Sequence, residues 1–332
     1  MRRHLILMAA TATAAAVSLA GCGGAGSSGT EAPPSAAAGA GCAPVAGDKL
    51  VVLEDDKKLQ NTDNVIPAVN QKASSPELIA ALDKASAALD TTKLIALNKA
   101  VAVDRKSSKA AAQEFATANS LTAGLAKGPG GQLTIGAADF PESATLAELY
   151  GVAATAAGYT VKVQTIGNRE LYEPALEKGD LDIVPEYAAT LATFLAGKVE
   201  GKNAKDPSSS DLQTTITNLT ALGEKRGLVF GKPSAAQDQN AFAVTTAFAD
   251  KNGLKTLSDL AAKCSGAATV LGGPAECPQR PKCQQGLVDT YDFKAGKFSS
   301  LDAGGPLTLT ALKTGTVSVG LVFSSDPALA GS

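Results

Sequence analysis

Short apolar runs, several rich in β-branched residues, alternate along this chain with segments whose apolar positions recur every three or four residues. Leu50-Val51-Val52-Leu53 reads as a buried strand. Ser75-Pro76 opens a helix, with serine as cap and proline in the first turn, and Leu78, Leu82, Ala85 and Leu89 follow at helical spacing. Leu94, Leu97 and Val101 mark a second helix and the alanine-rich stretch 108–118 a third, before the breaker Gly128-Pro129-Gly130-Gly131. The alternation then restarts. Strands are predicted at 133–136, 159–165, 182–184, 242–246, 269–271 and 317–323, and helices at 143–157, 169–178, 188–196, 211–226, 256–263, 283–291 and 306–313. Strands apolar on both faces, separated by amphipathic helices, predict an α/β fold of parallel sheets covered on both sides.

Composition narrows what such a fold can do. The chain has 332 residues, 45% hydrophobic and 19% charged, a globular composition long enough for two lobes. Its one histidine, His4, lies in a segment expected to be removed, which excludes Ser-His-Asp or Cys-His catalysis and His-ligated metals from the remainder. Tryptophan is absent, so five tyrosines and nine phenylalanines supply all aromatic recognition. The formal charge is -2 without any basic cluster, which argues against nucleic acid as a partner.

Residues 1–21 combine a basic start, an apolar core too short for a comfortable span, and small residues before a cut, the features of a secretory signal peptide. Leu19-Ala20-Gly21-Cys22 is also the lipobox of bacterial lipoproteins, so Cys22 is expected to carry the lipid; an ordinary signal with a chance cysteine is the alternative. Residues 22–44, rich in Gly, Ser, Ala and Pro, read as a flexible tether from the outer face of the cell membrane. Four cysteines remain, Cys42, Cys264, Cys277 and Cys283, an even number in an oxidising compartment, with three possible pairings. The proline-stiffened stretch Cys277-Pro-Gln-Arg-Pro-Lys-Cys283 most naturally closes on itself, which leaves Cys42 for Cys264. A four-thiolate zinc site is the rival, but the spacing matches no usual ligand pattern, and neither metal nor cofactor is expected.

Phe140-Pro141-Glu142, Gly179-Asp180-Leu181-Asp182 and Pro185-Glu186-Tyr187 resemble the motifs Phe-x-Glu, Gly-(Asp/Glu)-x-Asp and Glu-Tyr-Thr-Gly-Thr of the quaternary-amine (glycine betaine, choline, carnitine) substrate-binding proteins of ABC importers. Leu257-Ser258-Asp259-Leu260, Glu276 with Arg280, Gly286-Leu287 and Phe323-Ser324-Ser325-Asp326 extend the resemblance, in family order, over about 133–332. The family's remaining C-terminal piece, a Leu-Glu-Asp-Asp-Lys strand and a Tyr-Asn-x-x-Pro segment, is similar to Leu53-Glu54-Asp55-Asp56-Lys57 and Asp63-Asn64-Val65-Ile66-Pro67 at the front of this chain. The simplest account is a circular permutation joined through 119–132, since permutation is tolerated where termini lie close and the break is exposed. Two unrelated domains would leave the ordered match unexplained.

The resemblance implies a two-lobed, periplasmic-binding-protein-like fold of type II, with the ligand in the cleft between lobes. One lobe would be continuous, 63–238, and the other split, 45–62 plus 239–332. A Cys42–Cys264 bond would then fasten the detached strand of the split lobe. It also implies a cage of aromatic rings for a quaternary ammonium, each contact worth roughly 0.5–2 kcal/mol. By match to its motifs, Tyr187 and Thr190 contact the ligand, Arg280 holds a ligand carboxylate, and Asp238 lies near the cation or pins the hinge. Phe140, Glu142, Ser324 and Ser325 sit at the cleft edge, while Arg169 and Tyr172, after Gly167, either add a contact or start a surface helix.

Departures weaken the betaine reading. Asp238-Gln239-Asn240 stands for Asp-x-Tyr and Asp63-Asn64 for Tyr-Asn, so at least two cage rings are missing there. Asn240 and Asp63 offer hydrogen bonds and charge, which an amino acid or polyol wants and a trimethylammonium does not. The function expected is that of a monomeric, lipid-anchored solute receptor that delivers its ligand to an ABC permease. A non-transport sensor of the same fold is the alternative. A secreted hydrolase is disfavoured, because the carboxylates are scattered and aromatics are too few for a sugar platform.

Overall fold

A computed structural model describes residues 39–201 and 203–329. The expected signal peptide and Cys22 fall outside the described residues. In chain order the elements are β1 (Leu50–Val52), β2 (Val65–Asn70), α1 (Pro76–Ala88), α2 (Thr91–Ala102), α3 (Ser108–Ala118), β3 (Gln132–Ala138), α4 (Pro141–Ala156) and β4 (Thr160–Gly167). There follow α5 (Arg169–Lys178), β5 (Ile183–Tyr187), α6 (Ala188–Glu200), α7 (Leu212–Glu224), β6 (Leu228–Phe230), β7 (Asn240–Thr245) and α8 (Thr246–Asn252). The last are α9 (Leu257–Cys264), β8 (Gly266–Gly273), α10 (Gln284–Tyr291), β9 (Ala295–Ser300), α11 (Pro306–Lys313) and β10 (Val319–Phe323). Local signals set the ends of several helices. Ser75 accepts a hydrogen bond from the Leu78 amide with Pro76 in the first turn, and Thr256 with Asp259 forms a capping box on α9.

The strands form two five-stranded sheets, ordered β1-β7-β10-β8-β9 and β4-β3-β5-β2-β6. Each is mixed, which corrects the expectation of parallel sheets. In the first sheet β8 runs parallel to β9 and β10, but β7 is antiparallel to both β10 and β1. In the second, β3 is parallel to β4 and β5, but β2 is antiparallel to β5 and β6. The reversed strands have a topological cause. β2 and β7 are where the chain enters one sheet from the other, so neither arrives through the helical crossover that parallel pairing requires.

Both faces of the central strands are covered, so these are apolar, while the edge strands β4 and β9 keep exposed polar residues. Val65, Val69 and Ile183 turn to a core shared with α1, α2, α3 and α4, while Ile66, Ala68 and Val184 face α5, α6 and α7. In the other sheet Phe242, Val244 and Leu321 pack with α8, α9 and α10, and Ala243 and Val322 with α11. β2 escapes notice in the sequence because Pro67 interrupts it. The register pairs Pro67 with Pro185, and the Pro67 carbonyl accepts from the Gly231 amide at 3.1 Å.

The two chain crossings, 53–64 and 231–239, run side by side. The Val65 amide donates to Ala236 O and the Asp238 amide to Asp63 O, both at 3.0 Å. Disulfides join Cys42 to Cys264 and Cys277 to Cys283. The first holds residues 39–44, expected to be loose tether, against the edge of β8. Ala40 bridges Gly266, the Ala268 amide donates to Ala40 O at 2.9 Å, and a Cβ on Gly266 would lie 2.2 Å from the Gly41 nitrogen. Among the described residues, no helix is long and apolar enough to cross a membrane and no acid, cysteine and histidine cluster could hold a metal.

Candidate functional site

Between the two sheets, above the paired crossings, lies a cavity of about 450 Å3, within the usual range for small-molecule sites. Nine of the twelve residues expected to bind ligand line it: Asp63, Phe140, Arg169, Tyr172, Tyr187, Thr190, Asp238, Asn240 and Arg280. Glu142, Ser324 and Ser325 do not. Glu142 and Ser325 are buried behind the wall and Ser324 is exposed, and all three turn polar atoms to protein partners. Glu142 accepts from Tyr187 OH and Asn98 Nδ2, both at 2.5 Å, and from Ser325 Oγ at 2.6 Å. The Ser325 amide donates to Asp238 at 2.9 Å and the Ser324 hydroxyl at 3.4 Å.

The wall contributed by the second sheet comes from strand ends and helix starts, the usual ligand position in α/β folds. Tyr187 ends β5, and Thr190 and Phe194 follow on one face of α6 at i+3 and i+7. Phe194 was not among the expected site residues, although that spacing from Tyr187 would have found it. The first sheet contributes Phe323, at the end of β10. Five rings therefore line the cavity: Phe140, Tyr172, Tyr187, Phe194 and Phe323. The Phe140 ring centroid lies 6.4 Å from that of Tyr187 and 5.3 Å from that of Phe323. Phe194 and Phe323 thus add two rings to the three expected from the sequence.

Arg169 and Tyr172, for which the start of a surface helix was the alternative, are buried. Arg169 pairs in fork fashion with Glu186, Nε to Oε1 at 2.9 Å and Nη2 to Oε2 at 2.6 Å, and also donates to Thr190 Oγ1 at 2.9 Å. Tyr172 donates to Glu186 at 2.9 Å. Burial and the Glu186 carboxylate push the Tyr172 hydroxyl well up, and burial with Glu142 does the same for Tyr187, so both remain donors. Arg280, in the Cys277–Cys283 loop, reaches Glu170 with Nε at 3.2 Å and Nη2 at 2.8 Å, and lies 3.4 Å from Glu276. Lys282, missed in the sequence, donates to Leu59 O at 2.9 Å and to Asp206 at 2.5 Å. Asn240 donates to the Lys282 carbonyl at 3.0 Å.

The floor is acidic. Asp63 and Asp238 sit at the crossings, both almost fully buried. Asp63 accepts from the Ala189 and Thr190 amides at 2.7 and 3.3 Å, donors left open by the first turn of α6. Burial lifts its carboxyl from 3.8 to about 6, against the pull of Arg169 and those amides. Burial and the neighbouring Glu142 raise Asp238 as well. Desolvated carboxylates that no cation bonds directly, under a ring-lined cavity, are suited to a positively charged occupant.

The sequence profile described as the substrate binding domain of the ABC-type glycine betaine transport system matches residues 43–118 and 131–331. The chain belongs to this family. Two relatives carry related names. The glycine betaine-binding protein YehZ of Escherichia coli (strain K12) is 28% identical over 174 residues, 50% of this chain and 55% of its own. A glycine-betaine-binding protein of Pseudomonas aeruginosa is 29% identical over 208 residues, 60% of this chain and 63% of its own. The chain thus spans somewhat over half the length of these relatives. Among solved structures, the substrate-binding domain of an oligopeptide ABC transporter from Bacillus anthracis overlaps 59% of this chain and 49% of its own at 13% identity and a TM-score of 0.28. That likeness is too slight to carry an argument.

Proposed function

We propose that this chain is the solute receptor of an ABC importer, capturing a quaternary ammonium osmolyte of the glycine betaine, choline and carnitine class between two lobes and handing it, unaltered, to a membrane permease. The carrying observation is the ring-lined cavity between the sheets, floored by Asp63 and Asp238. A trimethylammonium group cannot donate hydrogen bonds, so ring faces and nearby carboxylates are what attract it. An amino acid or polyol would want free donors, and the Asn240 amide is already engaged by Lys282 O.

In this reading the lobes are 63–238 and the split pair 45–62 plus 239–332, in a type II arrangement circularly permuted from the family's order. The division of the profile match at 118 and 131 supports the joint in that region, and the pairing of β1 with β7 supports the split lobe. Membership of a family of solute-binding domains supports a role without catalysis. The leader and lipobox support anchoring through Cys22 on the outer face of the membrane.

A thermal-shift screen over betaines, choline, carnitine, amino acids and polyols tests the reading. A ligand bound only by the folded state raises apparent stability by about 2.7 kcal/mol at 100 times its Kd. A quaternary ammonium compound should shift the melting temperature, and Tyr187→Ala and Phe194→Ala should each abolish that shift. Silence from every quaternary ammonium compound, or variants that respond like the parent, would overturn it.

A further inference from the structure

The ion pairs around the cavity suggest which ligand of that class is preferred, an inference that rests on the receptor reading above. A zwitterion such as glycine betaine needs a cation for its carboxylate, best supplied by the two-pronged fork of arginine. The cavity is lined by three cations, Arg169, Arg280 and Lys282, and each already faces an acid. Arg169 is matched by Glu186, Lys282 by Asp206, and Arg280 by Glu170 with Glu276 close by. On the other side of the balance, Asp63, Asp238 and Glu142 are all buried, and the hydrogen bonds they accept come from amides, hydroxyls and a carboxamide. The Arg280 pair, like that of Lys282, differs from the Arg169 pair in its reach. Arg280 belongs to the disulfide loop beside the first sheet and Glu170 to the first turn of α5 on the second, so the bridge spans the cleft.

We infer that Glu170 is a specificity-determining residue: by taking the Nε–Nη2 edge of Arg280 across the cleft, it competes with a ligand carboxylate for that cation and directs the cavity to cations with a neutral polar tail, such as choline, in preference to zwitterions. Asp63 and Asp238 reinforce the choice, since they attract an ammonium and repel a carboxylate. Glu170 is 40% exposed at its side chain, so an amide in its place is accommodated without burying an unpaired group.

The test is titration calorimetry of the full chain and its Glu170→Gln variant with choline, glycine betaine and carnitine. The parent should bind choline at least tenfold more tightly than glycine betaine. In Glu170→Gln the Arg280 fork is opposed by Glu276 alone, and the choline-to-betaine ratio should fall at least tenfold, mainly through tighter betaine binding. Glycine betaine bound as tightly as choline by the parent overturns the inference and leaves the receptor reading standing. A variant that weakens all three ligands by the same factor also overturns it, because Glu170 would then be only a strut across the cleft. No response to any of the three overturns the inference together with the receptor reading.

Discussion

Replacing Asp63 by Asn should stabilise the ligand-free protein at neutral pH, although it removes a residue from the binding site. Asp63 is buried, with Arg169, Asp238 and the Ala189 and Thr190 amides facing it. Burial outweighs the attraction of Arg169 and the amides and lifts the carboxyl from 3.8 to about 6. Between those values the folded chain holds a proton that the unfolded chain has released, so stability falls as pH rises through the window. At about 1.4 kcal/mol for each pKa unit, the full effect above pH 7 is ~3 kcal/mol. Asn cannot ionise, and its Oδ1 keeps both amide donors. Asp63→Asn should therefore melt roughly 6 °C above the parent at pH 7.5, taking ~2 °C per kcal/mol for a chain of this size, and level with it near pH 4. Differential scanning calorimetry at several pH values reads this directly. Binding of a cation should move the opposite way, tightening in the parent as pH rises through 6 and losing that dependence in the variant. An Asp63→Asn protein equal to or less stable than the parent at pH 7.5 would refute the reading that burial of Asp63 outweighs the attraction of its partners.

Two further outcomes follow from the buried pairs and the bonds. Arg169→Ala leaves Glu186 buried with only Tyr172, the Tyr187 amide and no cation, so urea unfolding should show a loss of ~3–5 kcal/mol; a loss under ~1 kcal/mol would mean that solvent reaches Glu186. Cys42→Ser with Cys264→Ser frees the segment that precedes β1 and opens a covalent loop of 222 residues, with an expected cost of up to ~5 kcal/mol in the same assay; an unchanged midpoint would show that noncovalent docking of residues 39–44 suffices.

Most helices were legible in the sequence because capping and periodicity agree. Ser75-Pro76 opens α1 where expected, and α5 and α11 keep their expected bounds. What was not legible depends on partners far along the chain. β2 hides behind Pro67, whose place in the sheet is set by Pro185 opposite, and β6 and β9 are short or polar and pair at an edge. The antiparallel entries of β2 and β7 follow from the crossings and leave no local mark. At the site, residues attached to motifs were found, but the division between wall and support was not. Glu142 and Ser325 look as ligand-like in sequence as Asp238, and only burial behind Tyr187 separates them. The matching of Arg280 by Glu170 joins residues 110 positions apart and cannot be read from either motif.

The disulfide loop concentrates the contacts that draw the two sheets together at the rim of the cavity. Within seven residues it presents Arg280 to Glu170 and Lys282 to Asp206, both on the other side of the cleft. The bond between Cys277 and Cys283, two prolines, and the close approach of Gly286, where a Cβ would lie 2.1 Å from Pro281 O, leave the loop little freedom. The half-exposed Arg280–Glu170 pair contributes little, about 0–1 kcal/mol, and is weakened by salt, whereas Lys282 is buried between Asp206 and the Leu59 carbonyl. The half-exposed pair can help hold the halves in register without locking them. A ligand then shifts the balance only through contacts it makes in the closed state and not in the open one. Tyr187 and Phe194 approach the cavity from the second sheet and Phe323 from the first, so a cation between them touches both halves at once. In the receptor proposed above, ring contacts from both halves would make closure depend on the occupant, which is the property a solute receptor needs to report that it is loaded.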